Sequence, residues 1–360
     1  MSRRFLAGLL VLSCCWGAPN PASLHAASAL APPPAGKLYQ GFFCSAPDPA
    51  TDDETEHNVT AADVARFEEA VGKKASWVYF SDNWCESRAF PAKICDWIHS
   101  LGKVPYIRLM LRSDLDQRHA EKVFSLAQIT AGQFDDDLKR WAESARAFGG
   151  PILIEWGTEP NGDWFAWNGK WHGHAAGPPQ YIAAYRHIVE VMRAAGAANL
   201  QWVWHANWDD VPETHWNRME NYFPGAGYCD FIAVSAYGAL TPHATEIESF
   251  REELDHAYPR LAQLAPDKPI IVAEFGCDIH YRKVKAAEWA RAALQDLFAR
   301  RWPAVIGFCW WNEGWENDDV AAHDSDLFIL HDQALTAAYR AELEAHRDLL
   351  QEKPILRERH

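Results

Sequence analysis

No internal apolar run in this chain of 360 residues is long enough to cross a bilayer, which excludes a helical membrane-spanning protein. An excess of positive charge is missing too. The formal net charge is −15, which sets nucleic acid aside as a partner. Cysteine is sparse, and after the first residues only Cys44, Cys85, Cys95, Cys229, Cys277 and Cys309 remain. None of their spacings resembles a zinc site; if the chain is exported, Cys85 and Cys95 form the expected local disulfide. His172-Gly-His174 is the one close histidine pair considered as a metal site, and in a loop rich in Trp and Gly it reads as two loop residues. Neither a metal nor a cofactor is expected.

What the chain has instead is apolar mass, 48% of its residues, together with 18 Trp, more than a core alone usually needs. Exposed Trp can stack on sugar rings. The start, Ser2-Arg-Arg-Phe-Leu-Ala-Gly-Leu-Leu-Val-Leu12, has the basic head and short apolar stretch of an export signal. Two processing readings stay open: cleavage after Ala29 in Ala27-Ser-Ala29, or a lipid anchor on Cys14. The paired arginines hint at twin-arginine export. Residues 1–36 are therefore set aside as signal and flexible leader, 37–351 as the folded domain, and 352–360 as a charged, frayed tail. We expect an exported monomer, periplasmic, extracellular or anchored at the envelope.

From Lys37 onward, strand and helix patterns alternate. Strands are predicted near 38–43, 75–80, 103–110, 151–157, 200–206, 230–236, 268–274 and 304–311. Helices are predicted near 61–71, 87–101, 134–148, 178–195, 244–264, 282–301 and 334–351, with 211–222 the weakest segment. Eight such units imply an α/β fold, a single-domain (β/α)₈ TIM barrel, whose functional groups stand at the C-terminal ends of the strands. The stretch Pro151-Ile-Leu-Ile-Glu-Trp-Gly-Thr-Glu159-Pro-Asn-Gly ends an apolar strand in a carboxylate and a turn. Lys268-Pro-Ile-Ile-Val-Ala-Glu274-Phe-Gly276 repeats that design. A barrel would bring the two strand ends together, and retaining glycosidases need such a pair about 5–5.5 Å apart. Arg108, His205, Asn207, Tyr237, Trp310, Trp311 and Asn312 fall at other strand ends. The expected partner is a polysaccharide substrate. Two other readings compete: a carbohydrate-binding protein on a former enzyme's barrel, and a metal-dependent hydrolase, for which the strand ends lack a ligand cluster.

Glu159-Pro-Asn-Gly-Asp-Trp-Phe-Ala-Trp resembles the Glu-Met-Asn-Gly-x-Trp motif of glycoside hydrolase family 26, which includes many β-mannanases and belongs to a clan of retaining (β/α)₈ glycosidases. Gly132-Gln-Phe-Asp135, Tyr185-Arg-His-Ile-Val, Ala194 to Trp204, Asp230 to Tyr237 and Ala273-Glu-Phe-Gly276 follow in the family's order, so the resemblance covers most of 38–315. It implies Glu159 as acid/base, Glu274 as nucleophile, Tyr237 as a donor to the nucleophile, and Trp164 and Trp310 along the sugar subsites. Asn161, His205 and Asn207 join the candidate substrate contacts. It also implies an endo-β-mannanase-like activity, with xylan or mixed-linkage glucan as alternatives. Under these roles the acid should hold a proton near neutrality while Glu274 stays charged. Two positions depart from the pattern. Thr158 stands where the family has His and the wider clan Asn, at the place that commonly reads the 2-hydroxyl. Glu155 stands where the family has Arg. Sharing parity with Glu159, Glu155 should lie one layer lower in the barrel, paired with a cation such as Arg108.

Overall fold

The computed structural model describes residues 27–44 and 59–359; the export signal, Cys14 and the acidic run 52–56 lie outside them. The architecture is a closed barrel of eight parallel strands, β2 (Tyr39–Cys44), β3 (Trp77–Asn83), β4 (Val104–Met110), β5 (Ile152–Trp156), β6 (Leu200–Asn207), β7 (Phe231–Tyr237), β8 (Ile270–Gly276) and β9 (Val305–Asn312), in sequence order. All eight predicted strands are present. Their alternation divides the apolar residues into two cores. Tyr39, Phe43, Trp77, Tyr79, Tyr106, Leu153, Val203, Ile271 and Trp311 fill the barrel, while Phe42, Ile107, Ile154, Trp204, Phe275 and Trp310 face the helices.

Helices α1 (Ala61–Val71), α2 (Ala92–Ser100), α3 (Leu126–Thr130), α4 (Asp135–Phe148), α5 (Gly177–Ala194), α6 (Phe250–Leu264), α7 (Ala286–Phe298) and α8 (Gln333–Ala345) surround the sheet. Local chemistry starts several of them. Thr60 with Asp63 and Ser249 with Glu252 form reciprocal capping boxes for α1 and α6. Segment 211–222 corrects the weakest expectation, because only a 3₁₀ turn at Met219–Tyr222 forms there. Its polar side chains serve the neighbouring loop instead: Asn217 donates to the carbonyls of Asn161 and Pro212.

Both chain ends differ from the expected leader and tail. Residues Ala27–Leu30 (β1) pair antiparallel with Leu356–Arg359 (β12), and a second two-stranded sheet joins β10 (Gly314–Trp315) to β11 (Ser325–Asp326). The terminal pair docks beneath the barrel. Leu30 is fully buried among the inner residues, and its backbone exchanges both hydrogen bonds with the Gln201 side chain at 2.5 and 3.0 Å. Arg359 donates to the Leu200 carbonyl at 2.5 Å and to Asp230 at 2.6 Å. These bonds satisfy backbone groups at the strand starts that would otherwise be exposed. Removing residues 355–360 is therefore expected to lower Tm by about 5 °C in a melting experiment while leaving the strand-end geometry intact.

The six cysteines from Cys44 to Cys309 are all free thiols, so the expected Cys85–Cys95 bridge is not formed. Cys95 is buried on the inner face of α2, whereas Cys85 lies in the partly exposed loop after β3.

Candidate active site

Backbone irregularities aim both glutamates. Between β7 and β8 the register slips, so that Val234 pairs with Val272 but Ser235 pairs with Glu274. Strict alternation from Ile271 and Ala273, which point inward, would send Glu274 out to the helices. The extra residue turns it into the barrel mouth. Glu159 lies beyond the end of β5, in the left-handed region at φ 48°, and its backbone N–H donates to the His205 carbonyl at 2.9 Å. A non-glycine residue in that conformation is strained, and such strain clusters at functional sites. Parity along β5 therefore does not set Glu159; this turn does.

Each carboxylate has its own donor. Trp164 Nε1 donates to Glu159 Oε2 at 2.7 Å, and the Tyr237 hydroxyl donates to Glu274 Oε2 at 2.7 Å. The Arg108 guanidinium lies 3.6 Å from Glu274 Oε1 and 4.9 Å from the Trp311 ring centre, while its Nε donates to Ser81. Burial first, and then the nearby Glu159 carboxylate, push Glu274 up to about 7, against the pull of His205 and Arg108. The expectation of a fully ionised Glu274 is thus altered, since a buried carboxylate beside a second one does not ionise freely.

Below them lies a sealed polar layer. Glu155 is wholly buried, and Tyr79 donates to its Oε1 at 2.5 Å and Tyr106 to its Oε2 at 2.6 Å. Its cationic partner is His205, whose Nδ1 lies 3.2 and 3.1 Å from the two oxygens, rather than the expected Arg108. His205 Nε2 meets Ser235 Oγ at 2.8 Å, and Thr158 Oγ1 lies 3.0 Å from Nδ1. The trio Glu155, His205 and Glu274 offers ligand atoms within 4.8 Å of one another, as a metal site would. Its atoms are already engaged by tyrosine and serine hydroxyls, so the donor set fits an ion-pair network better than an ion.

Several predicted substrate contacts change place. Trp310 points outward, buried against Phe275 and Tyr339 with Nε1 donating to the Leu327 carbonyl. The inward ring is Trp311, stacked 3.6 Å from Phe43. Asn161 is fully buried, its amide donating to the carbonyls of Asn207 and Asp209 and its oxygen accepting from the Asn207 backbone. It holds the loop and leaves nothing for a ligand. His205 is sealed likewise, and Asn207 spends its amide on the Asp209 carbonyl. Trp164 and Tyr237 remain partly exposed at the mouth, joined by Trp315 on β10. Beside Trp164 a small concavity is lined by Arg112, Asp114, His119, Glu121 and Trp167. Tyr79, Tyr106 and Ser235 escaped the sequence reading because nothing marks one inward polar residue of a strand as part of a network.

Comparisons with known proteins point to the same fold and to one glycosidase family. The model of glycosyl hydrolase family 26 matches residues 129–299, the segment that carries both glutamates. This is a family 26-like barrel. Endoglucanase H of Acetivibrio thermocellus is 28% identical over 258 residues, 71% of this chain. Mannan endo-1,4-beta-mannosidase A and B of Caldalkalibacillus mannanilyticus is 26% identical over 160 residues, 44% of the chain. The family 26-like chain spans only 27% of the length of each of these relatives. Among solved structures, a family 26 β-mannanase from Bacteroides ovatus shares the fold with a TM-score of 0.63 at 14% identity, over 90% of this chain and 94% of that one. A family 26 protein from Muricauda, at 12% identity over 88% of this chain and 87% of that one, gives the same TM-score of 0.63.

Proposed function

We propose that this barrel is a retaining endo-β-glycanase that cuts a β-linked polysaccharide, with β-mannan the first substrate to test. The observation that carries the reading is the carboxylate pair at one rim, each member held by a separate ring donor. In the proposed reaction Glu274 attacks the anomeric carbon, and Glu159 protonates the departing oxygen and later deprotonates water. Because Trp164 occupies Oε2 of Glu159, the transferable proton belongs on Oε1. Tyr237 keeps a hydrogen bond to the charged form of Glu274. The partly exposed Trp164 and Trp315, with the inward Trp311, would give sugar rings flat apolar faces.

Export forms part of the proposal, resting on residues 2–12. Strand β1 favours processing upstream of Ala27, since a cut after Ala29 would sever it. Product release from soluble β-mannan, xylan, mixed-linkage glucan and β-1,3-glucan tests the function. We expect oligosaccharides from one of them, with fast loss of viscosity as the sign of internal cleavage. Binding to a polymer without any product from the panel would replace the enzyme by a carbohydrate-binding barrel.

A further inference from the structure

Beneath the rim, buried ionisable side chains from several strands meet, and the fate of each charge depends on the others. Resting on the glycosidase reading above, we propose that Glu155 is a positioning residue: pinned by two tyrosine hydroxyls, it holds His205 as a buried cation under Glu274, and that cation keeps the nucleophile ionisable beside Glu159. Glu155 touches no reacting atom and acts through His205.

The geometry supplies the reasons. A carboxylate with no exposed surface would normally take up a proton, yet Glu155 accepts from Tyr79 at 2.5 Å, from Tyr106 at 2.6 Å and from His205 at 3.1 Å. Three donors to the charged form favour that form. Nδ1 of His205 lies between the Glu155 oxygens and Thr158 Oγ1 and donates to the carboxylate, while Nε2 faces Ser235 Oγ, a hydroxyl that accepts from the imidazolium or donates to the neutral ring. The buried carboxylate beside Nδ1, rather than the Ser235 hydroxyl, is what favours the imidazolium. Burial pulls the imidazole down, but Glu155 more than offsets it and His205 is held up to about 9; Glu155 itself is held below the ordinary carboxylate value against the cost of burial.

The other charged and titratable groups around the pair are few. From β3 comes Tyr79, whose hydroxyl also lies 3.4 Å from Glu274 Oε1; from β4, Arg108, 3.6 Å from the same oxygen; from the turn after β5, Glu159; from β7, Tyr237 on Glu274 Oε2; and from β9 the buried Cys309 thiol, which burial pushes well up and so leaves neutral. Two cations, His205 and Arg108, thus face two anions, Glu155 and Glu274. Removing the His205 charge leaves Glu274 with one cation instead of two, in a buried site.

Two measurements test this. In wild type, the ¹⁵N-imidazole NMR signals assigned by difference with His205→Gln should show His205 protonated above pH 8, and in Glu155→Gln it should titrate at or below its ordinary value of about 6.5. In the kcat/KM profile, His205→Gln should move the acid limb about one pH unit upward, so that activity at the foot of the limb falls about tenfold while the plateau changes less. The sign follows from Glu274, which must lose its proton to attack and holds it to higher pH without the cation. Glu155→Gln keeps the size of the side chain; should it fail to fold, the wild-type titration and His205→Gln still decide. A wild-type His205 that titrates near or below 6.5, or a limb that does not move in His205→Gln, overturns the proposal. The NMR arm needs no turnover. An inactive wild type with a high-titrating His205 would refute the glycanase reading and leave the charge arrangement standing.

Discussion

Glu274→Ala is expected to lower kcat on the responsive polysaccharide by roughly 10⁴-fold or more, because no covalent intermediate can then form. Glu159→Ala should lose about 10²–10⁴-fold on the same polymer, the usual contribution of a positioned acid/base. The two losses should differ in kind. On an aryl glycoside with a good leaving group, Glu159→Ala needs no proton donor for the first step, so the intermediate forms and its breakdown becomes limiting. Azide added to that variant should attack the intermediate and release a β-glycosyl azide. Added to Glu274→Ala, azide would take the place of the missing carboxylate and give the α-glycosyl azide. Product configuration by NMR therefore assigns the two roles independently of how large either loss is. If either variant keeps activity within about tenfold of wild type, the pair is not the catalytic dyad. Trp164 and Tyr237, which donate to separate members of the pair, would then need another explanation.

The strand plan was legible because buried parallel strands are continuous apolar runs, and most of the eight carry a polar or aromatic group at or near their ends. The glutamates could be read because one design, an apolar run followed by a carboxylate and a turn, occurs twice in the chain. What could not be read depends on departures from strict alternation. The bulge that turns Glu274 inward lies in its pairing with β7, where Val234 meets Val272 and Ser235 meets Glu274, residues far apart in sequence. Glu159 sits past the strand in a left-handed turn that no residue type there announces. Trp310 and Trp311 are adjacent, so a parity error of one residue exchanges barrel and helix faces; the inward Cys309, two positions before Trp311, was the available signal. Asn161 looked like a ligand contact because polar groups after strand ends often are, but loop backbones near a rim also need partners. The terminal strands are four residues each and carry no apolar alternation, so a disordered leader and tail read equally well. Glu155 was readable as a buried carboxylate with a cationic partner, but nothing in the sequence chooses His205 over Arg108 for that place.

Gly41→Ala is expected to destabilise the protein by about 3 kcal/mol, although the substitution adds one methyl group and the backbone there is not left-handed. Trp77 lies flat across the inside of the barrel, and a Cβ at Gly41 would stand 1.9 Å from its Nε1 and 2.4 Å from two further ring atoms. On the far side, a Cβ at Gly307 would meet the same ring at 2.5 Å and the Tyr39 carbonyl oxygen at 2.9 Å. The ring cannot retreat, because Tyr39 packs edge-on against it with centroids 5.9 Å apart. Glycine within a strand interior normally costs stability, and here it makes room for the largest side chain in the barrel. By the unfolded-state effect alone, Ala at position 41 would stabilise by roughly 0.4–1 kcal/mol, so a loss isolates the clash. Trp77→Ala on its own should cost about 3–5 kcal/mol through the cavity it leaves. In that background Gly41→Ala should cost nothing further, giving a coupling of at least about 2 kcal/mol in a double-mutant cycle read by denaturant melting. Additive losses would show that the ring and the glycine do not compete for the same space. The coupling also reaches the site, because Trp77 and Tyr79 are inward neighbours on β3 and Tyr79 donates to Glu155. A barrel loosened at Gly41 should therefore lose the raised titration of His205 before it unfolds, linking the packing of the floor to the charge held beneath Glu274.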